Sequence, residues 1–353
     1  MPQTPPAPLR TEKAATAPPV ARRTLLHRTG AAARPVLLPV SVAVAIGAIF
    51  ISVYLSAFHA PVARDLPVAV VGDAGTARQV ADRLPGPPAD TFRVTAVADE
   101  RAARTAVEHG EVFAAYSPGP DRAELWYAGA HGPAVTALVT EGLAPLAAAD
   151  GQRLEVVDAV PASPQDTRGL AVFYTTFGLV LAGYLFGIMT YQLSPGVSVR
   201  RRLAGLAAFG AVGGVTVALV VSAFGALPAP FAGVAALVAL VALAVGAATM
   251  VLVRALGVLG SSAAAVVFMT VGNATSGGSL PAEFLPPWLA PFSEVLPVGV
   301  GVRAVNGLAY FHGDGVLAGV LVLGLWIAAG VGGMLVLERG GYRLPLPGVP
   351  RPS

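Results

Sequence analysis

Cysteine is missing from all 353 residues, which excludes disulfides, thiolate metal sites and cysteine nucleophiles. Lysine is nearly missing too: Lys13 is the only one among 23 basic side chains. Charge of either sign is scarce, at 12 % of residues, where a soluble domain carries about a quarter. No G-x-x-x-x-G-K-[ST] occurs, so the chain cannot bind and hydrolyse ATP through a P-loop. What fills the space is apolar. With 55 % hydrophobic residues and a mean hydropathy of +0.68, the balance is that of a membrane protein.

Uncharged apolar segments run over residues 35–58, 169–193, 203–226, 231–253, 255–272 and 315–337. Each is close to the ~20 residues that carry a helix across a ~30 Å hydrocarbon core, so six spans are expected. The fifth is the weakest, being rich in small residues and running into Gly277 and Gly278. An even number of spans puts both ends of the chain on one side. That side then holds residues 1–34, the loop "SPGVSVRRR", Arg254 and residues 338–353, with 13 basic residues and only two acids, Glu12 and Glu338. Short arginine-rich loops stay cytoplasmic, so both termini are expected inside the cell membrane.

The tail at 1–34 is rich in proline and alanine and reads as disordered. Its "TLLHRTGAAAR" either lies on the inner membrane surface or is a basic flank that sets topology. The apolar run at 35–58 exceeds the 7–15 residues of a signal-peptide core, and an uncleaved anchor is expected there.

Residues 60–168 form the one water-soluble unit. "LPVAVVG" and "FRVTAVA" read as strands, "TARQVADRL" and "DERAARTAVEHG" as helices, the second with Asp99 as N-cap and Gly110 as its stop. "EVFAAYS" and "AELWYAG" are strands joined by a turn, "PAVTALVTEGLAPLAAADG" a helix that Pro145 ends or bends, and "RLEVVDAV" a last strand. The β-α-β-α-β-β-α-β order predicts a small α/β domain inserted between the first and second spans. "VVGDAG" lacks the order of a dinucleotide fingerprint and reads as a turn capped by Asp73. His109 and His131 carry no metal-ligand spacing. Neither a cofactor nor an enzyme activity is expected, and arginines split among separate segments argue against nucleic acid.

No Asp, Glu, Lys, Arg or His falls inside the expected spans, which weighs against a proton- or sodium-driven carrier. Hydroxyls and amides remain: Tyr174, Thr175, Thr176, Tyr184, Thr190 and Tyr191 in the second span, Thr270 and Asn273 near the end of the fifth. They bond helix to helix, or they line a path for an amphiphilic substrate, Tyr174, Thr175, Tyr184 and Asn273 being the candidates. Gly183/Gly187 and Gly210/Gly214 match small-xxx-small packing.

One stretch breaks the pattern. "NATSGGSLPAEFLPPWLAPF", residues 273–292, is apolar but interrupted by Pro281, Pro286, Pro287 and Pro291. Irregular backbone at membrane depth must be sheltered by protein or by a watery cavity. A dip over 275–311 follows: a short helix near residues 282–285, a proline turn, Trp288 and Phe292 at the interface, and a helix over 298–311. Trp288 and Tyr310 suit the headgroup level. Arg303 is the only basic residue there, with Glu283 and Glu294 as candidate partners.

This plan of one span, an α/β domain containing "LPVAVVGD" and "EHGEVFAAYSPG", then five spans resembles the large-ectodomain branch of ABC-2-type transporter permeases, with the YhgE/Pip-like and DUF3533 groups. "SGGSLPAEFLPPWLAPFSEVLPVGVGVRAVNGLAYFHG" is similar to that family's segment before the last span. The resemblance covers roughly residues 36–337. It implies that 281–311 forms paired outer helices capping the substrate route, with Pro286, Pro287, Trp288, Phe292 and Arg303 as the gate. It also implies a docking site for a separate ATPase at the loop carrying Arg200, Arg201 and Arg202, and a homo- or heterodimer in the lipid bilayer. The loop is very short, arginine-rich and acid-free, so a topology signal is its other reading. The function expected is outward movement of an amphiphile. The alternative is a non-transporting scaffold or surface receptor.

Overall fold

A computed structural model describes residues 23–84 and 91–340, with side chains from Leu37 onward. The expected tail over 1–22, the C-terminal residues 341–353 and the short stretch 85–90 lie outside the described residues. The chain divides into two compact units, Met1–Ala48 and Ile49–Ser353.

The described part of the first unit is helical. It belongs to α1, Arg23–Phe58, which begins before the span boundary expected at residue 35, so residues 23–34 are helix rather than unstructured flank. Its side chains from Leu37 to Val44 are mostly exposed apolar groups, which suits contact with lipid.

In the second unit the end of α1 leads into the α/β domain. Five strands, β1 Leu66–Val71, β2 Phe92–Val97, β3 Ala114–Ser117, β4 Arg122–Tyr127 and β5 Arg153–Asp158, form a single sheet in the order β2-β1-β3-β4-β5. All neighbours are parallel except the β3–β4 hairpin. Three helices cover it: α2 Ala74–Arg83, α3 Glu100–Glu108 and α4 Pro133–Ala149. Strand β1, interior in the sheet, reads as an unbroken apolar run because both of its faces are covered. Leu66, Val68 and Val70 point toward α2 and α4, while Ala69 packs with Ala103 and Val107 of α3.

Both expected caps form. Asp73 accepts from Thr76 N at 2.7 Å, and Asp99 from Ala102 N at 2.8 Å. The domain departs from expectation where β3 starts at Ala114, so "EVF" stays outside the strand. Of the two readings of Pro145, an end to the helix is ruled out, since α4 continues to Ala149.

Four further long apolar helices follow: α5 Ala171–Gln192, α6 Val199–Phe224, α7 Phe231–Leu256 and α11 Val316–Arg339. With α1 they make five, among the described residues, that are long and apolar enough to cross a membrane. The expected fifth span at 255–272 does not reach that length. Ala255 and Leu256 finish α7, Gly257 breaks the helix at φ +62°, and α8 Val258–Ala264 runs into an 8-residue π-helix, Ala265–Gly272. The chain is thus a multi-span helical membrane protein with an α/β domain inserted after its first span.

The most buried of these helices is α7. A Cβ added at Gly183 of α5 would lie 2.8 Å from the carbonyl oxygen of Ala242, and one at Gly214 of α6 would lie 2.4 Å from that of Ala235. Gly187 and Gly210 meet Thr249 and Leu243 in the same way. Both glycine pairs therefore pack against α7, where small residues let backbones approach closely.

Candidate functional site

Between the last two regions of regular structure, the proline-broken segment forms a 3₁₀ turn at Ala282–Phe284, then α9 Ala290–Val295 and α10 Pro297–Tyr310. Pro291, second in α9, and Pro297, first in α10, sit in first turns, where backbone amides have no acceptor within the helix. The Trp326 indole donates to Val295 O at 2.8 Å and ties the end of α9 to α11.

This segment is joined to the α/β domain at both faces of its sheet. Phe284 is buried in the core beneath α2 and α4, and Phe311 in the core beneath α3. The Arg64 amide donates to Glu283 O at 2.9 Å, and its guanidinium to Leu285 O at 3.3 Å. His109, at the end of α3, meets the Asp314 carboxylate at 2.6 Å and stacks on His312 with ring centres 5.0 Å apart. Ser163 N donates to the Tyr310 hydroxyl at 3.3 Å. Tyr310 is thus half-buried in protein contacts, whereas a headgroup-level anchor was expected.

A cavity of about 730 Å³ opens where these parts meet. Its wall changes character across its width. His109, Glu111, Asp166, Arg168, Glu294 and Arg303 give a charged rim, while Val172, Val300, Val302 and Val322 give an apolar wall. The His131 ring lies between Phe113 and Phe311, with centres 4.3 and 4.7 Å away. Burial lowers its pKa to about 4, so it is neutral near neutral pH. His131 Nε2 and Asn306 Oδ1 are enclosed without a hydrogen-bond partner. Burial raises the pKa of Glu283, with Arg303 opposing the shift.

Of the expected gate residues, only Arg303 lines this cavity. It faces Glu294 at 3.9 Å, and of its two candidate partners Glu283 makes no ion pair among the described residues. Trp288 and Phe292 are exposed, Pro287 is exposed and Pro286 partly so, on the outer surface of the segment.

The candidate path residues do not meet. Tyr174 is 64 % exposed on the outside of α5, and Thr175 is buried. The Tyr184 hydroxyl donates to Ser261 O at 3.4 Å, and Asn273 Nδ2 donates to the Tyr54 hydroxyl at 2.6 Å. Two of the four therefore serve helix-to-helix bonds, and none lines the cavity.

The three arginines are not equivalent. Arg200 and Arg201 are exposed, but Arg202 is buried. Its guanidinium donates to the carbonyls of Val197 at 3.1 Å, Ser194 at 2.6 Å, Pro195 at 3.0 Å and Thr190, and lies over the Tyr191 ring at 4.1 Å. It caps the carbonyl end of α5, which explains how an acid-free loop can hold a buried cation.

Phe284, Phe311, His131 and Asn306 were not expected at a site. Each is apolar or isolated in the sequence, and only the meeting of two distant segments gives it a role. No family model, curated protein or solved structure matches the chain.

Proposed function

We propose that this chain is the membrane subunit of an exporter of the ABC-2 type, moving an amphiphilic molecule outward with energy from a separate ATPase subunit. The observation that carries the reading is the cavity of about 730 Å³, whose wall passes from a charged rim to an apolar side at the ends of the long helices. A space of that size and grading suits a drug-sized amphiphile leaving the bilayer. In this reading Val258–Gly272 is a shortened fifth crossing that brings the total to six, both termini are cytoplasmic, the α/β domain is outside, and the segment at 275–311 closes the outer end of the route. Two such subunits form the working unit.

The coupling surface in this reading is Arg200 and Arg201, because Arg202 is engaged within its own loop. Affinity purification of the full chain from its native membranes tests it. The expected result is a co-purifying ATPase that is lost when Arg200 and Arg201 become alanine while the chain stays folded. Absence of any ATPase in intact membrane complexes overturns the reading.

The second reading, a scaffold or surface receptor, draws on the same loop: with Arg202 turned inward, only two exposed charges are left for an energy-supplying partner. Ectodomain deletion is a poor test of it, since deletion would strip Phe284 and Phe311 of their core. Transport assays on a chain with an intact domain decide between the two.

A further inference from the structure

Charges around the cavity are unevenly spent. Both Asp166 oxygens accept from the amides of Leu170 and Ala171, at 2.9 and 2.8 Å. Asp314 is engaged by His109 at 2.6 Å, and Glu294 by Arg303 at 3.9 Å. Glu111 is exposed at the rim, where water serves it. Glu283 differs from all of these. It lines the cavity, it is partly buried, and among the described residues its carboxylate has neither an ion pair nor a side-chain hydrogen bond.

The position of Glu283 is fixed independently of its side chain. Its carbonyl holds the Arg64 amide at 2.9 Å, and its neighbour Phe284 is locked in the domain core. Arg303 and Arg93 act on this carboxylate only from beyond ion-pair distance, and they leave the cost of its partial burial uncancelled. A cation brought into direct contact removes that cost. Across the same space, Val300, Val302 and Val322 offer an apolar bed.

We propose that this cavity binds a cationic amphiphile, its ammonium or guanidinium group pairing with the Glu283 carboxylate and its apolar body lying against Val300, Val302 and Val322. As an identification of the exported molecule this rests on the export reading; as a binding site it stands on the cavity alone. The raised pKa of Glu283 sets the sign of the pH effect. Arg303 and Arg93 pull that pKa down and Glu294 pushes it up, but burial is the largest influence. Only the ionised carboxylate attracts a cation, so affinity rises as pH rises through that pKa.

The experiment uses the full chain in nanodiscs, with empty nanodiscs subtracting lipid partition. Ethidium, a fluorescent cation, is titrated by anisotropy, and phenanthridine, its uncharged ring system, competes. Saturable ethidium binding is expected, weakened about tenfold or more by Glu283→Gln and by acid, with phenanthridine at least about tenfold weaker. Glu141→Gln, at an exposed position of α4 outside the cavity lining, leaves the affinity unchanged. Equal affinity for the two probes, pH-independent binding, or full binding by a folded Glu283→Gln chain overturns the proposal. If that variant does not fold, the probe preference and pH dependence of the unaltered chain decide. Saturable cation binding in a chain that never acquires an ATPase keeps the site and sinks the export reading. Export that ignores the cation and Glu283 does the reverse.

Discussion

The Phe311 ring stacks on the His131 imidazole, with planes 23° apart and centres 4.7 Å apart. The two residues come from the outer segment and the α/β domain, and their contact joins the regions that enclose the cavity. Phe311 is 5 % exposed. Phe311→Ala is expected to destabilise this junction by about 3–5 kcal/mol, the range for truncating a buried phenylalanine. Thermal melting of the purified chain, with hydrogen exchange at residues 100–112, reads the loss.

His131 makes the junction sensitive to acid. Its folded pKa of about 4 lies below the ordinary 6.5, so the unfolded chain takes up a proton more readily than the folded one. The stability held by neutral His131 is complete above the ordinary value and drains away as pH falls toward the folded value, by about 3 kcal/mol in all. Melting temperature measured against pH should fall across that window. His131→Gln, which cannot titrate, should flatten the fall.

Arg202 and its neighbours should separate cleanly. Arg202→Met leaves the Thr190 carbonyl at the end of α5 and three carbonyls of the following loop without this donor, and a loss of about 2 kcal/mol or more is expected. Arg200→Ala and Arg201→Ala, at exposed positions, should stay within about 0.5 kcal/mol. Melting of the three variants side by side checks this. Equal effects would contradict the capping role.

Glycines of one helix should answer differently to the same change. Gly183→Ala drives a methyl to 2.8 Å from a backbone carbonyl of α7, where nothing flexible can yield. At Gly178, on the same helix, the added methyl meets open space. Gly183→Ala is expected to lower the melting temperature by several degrees, and Gly178→Ala to leave it level or raise it slightly.

Much of the fold was legible because its signals are local. Strand runs ended by glycine, the caps at Asp73 and Asp99 and the long uncharged segments depend on neighbours in the chain. What misled was also local. Pro145 left an end or a bend of its helix open, and tertiary packing carries the helix onward, with Leu143, Leu146 and Ala147 all buried in the core. Residues 255–272 look like a span by composition, but Gly257 starts a new helix too late to leave ~20 residues. The site was less legible. Arg303 and Glu294 stood out as charges in an apolar segment, while Phe311 and His131 acquire meaning only through a contact between residues far apart in sequence. Arg202 is the sharpest case. Three consecutive arginines look alike on the page, yet α6 starts at Val199, and only the third comes back beneath the loop.

The central place of α7 has a consequence for how this chain can vary. Its neighbours lean on it through glycines: Gly183 and Gly187 from α5, Gly210 and Gly214 from α6, Gly330 from α11. A side chain enlarged on one flank of α7 displaces a different neighbour from one enlarged on another, so the helix has almost no flank on which drift is harmless. Tolerance to substitution should be least along its middle turns and greatest on the outward flanks of α1 and α6, and a saturation library of the whole chain would draw that contrast as a single narrow stripe of intolerance.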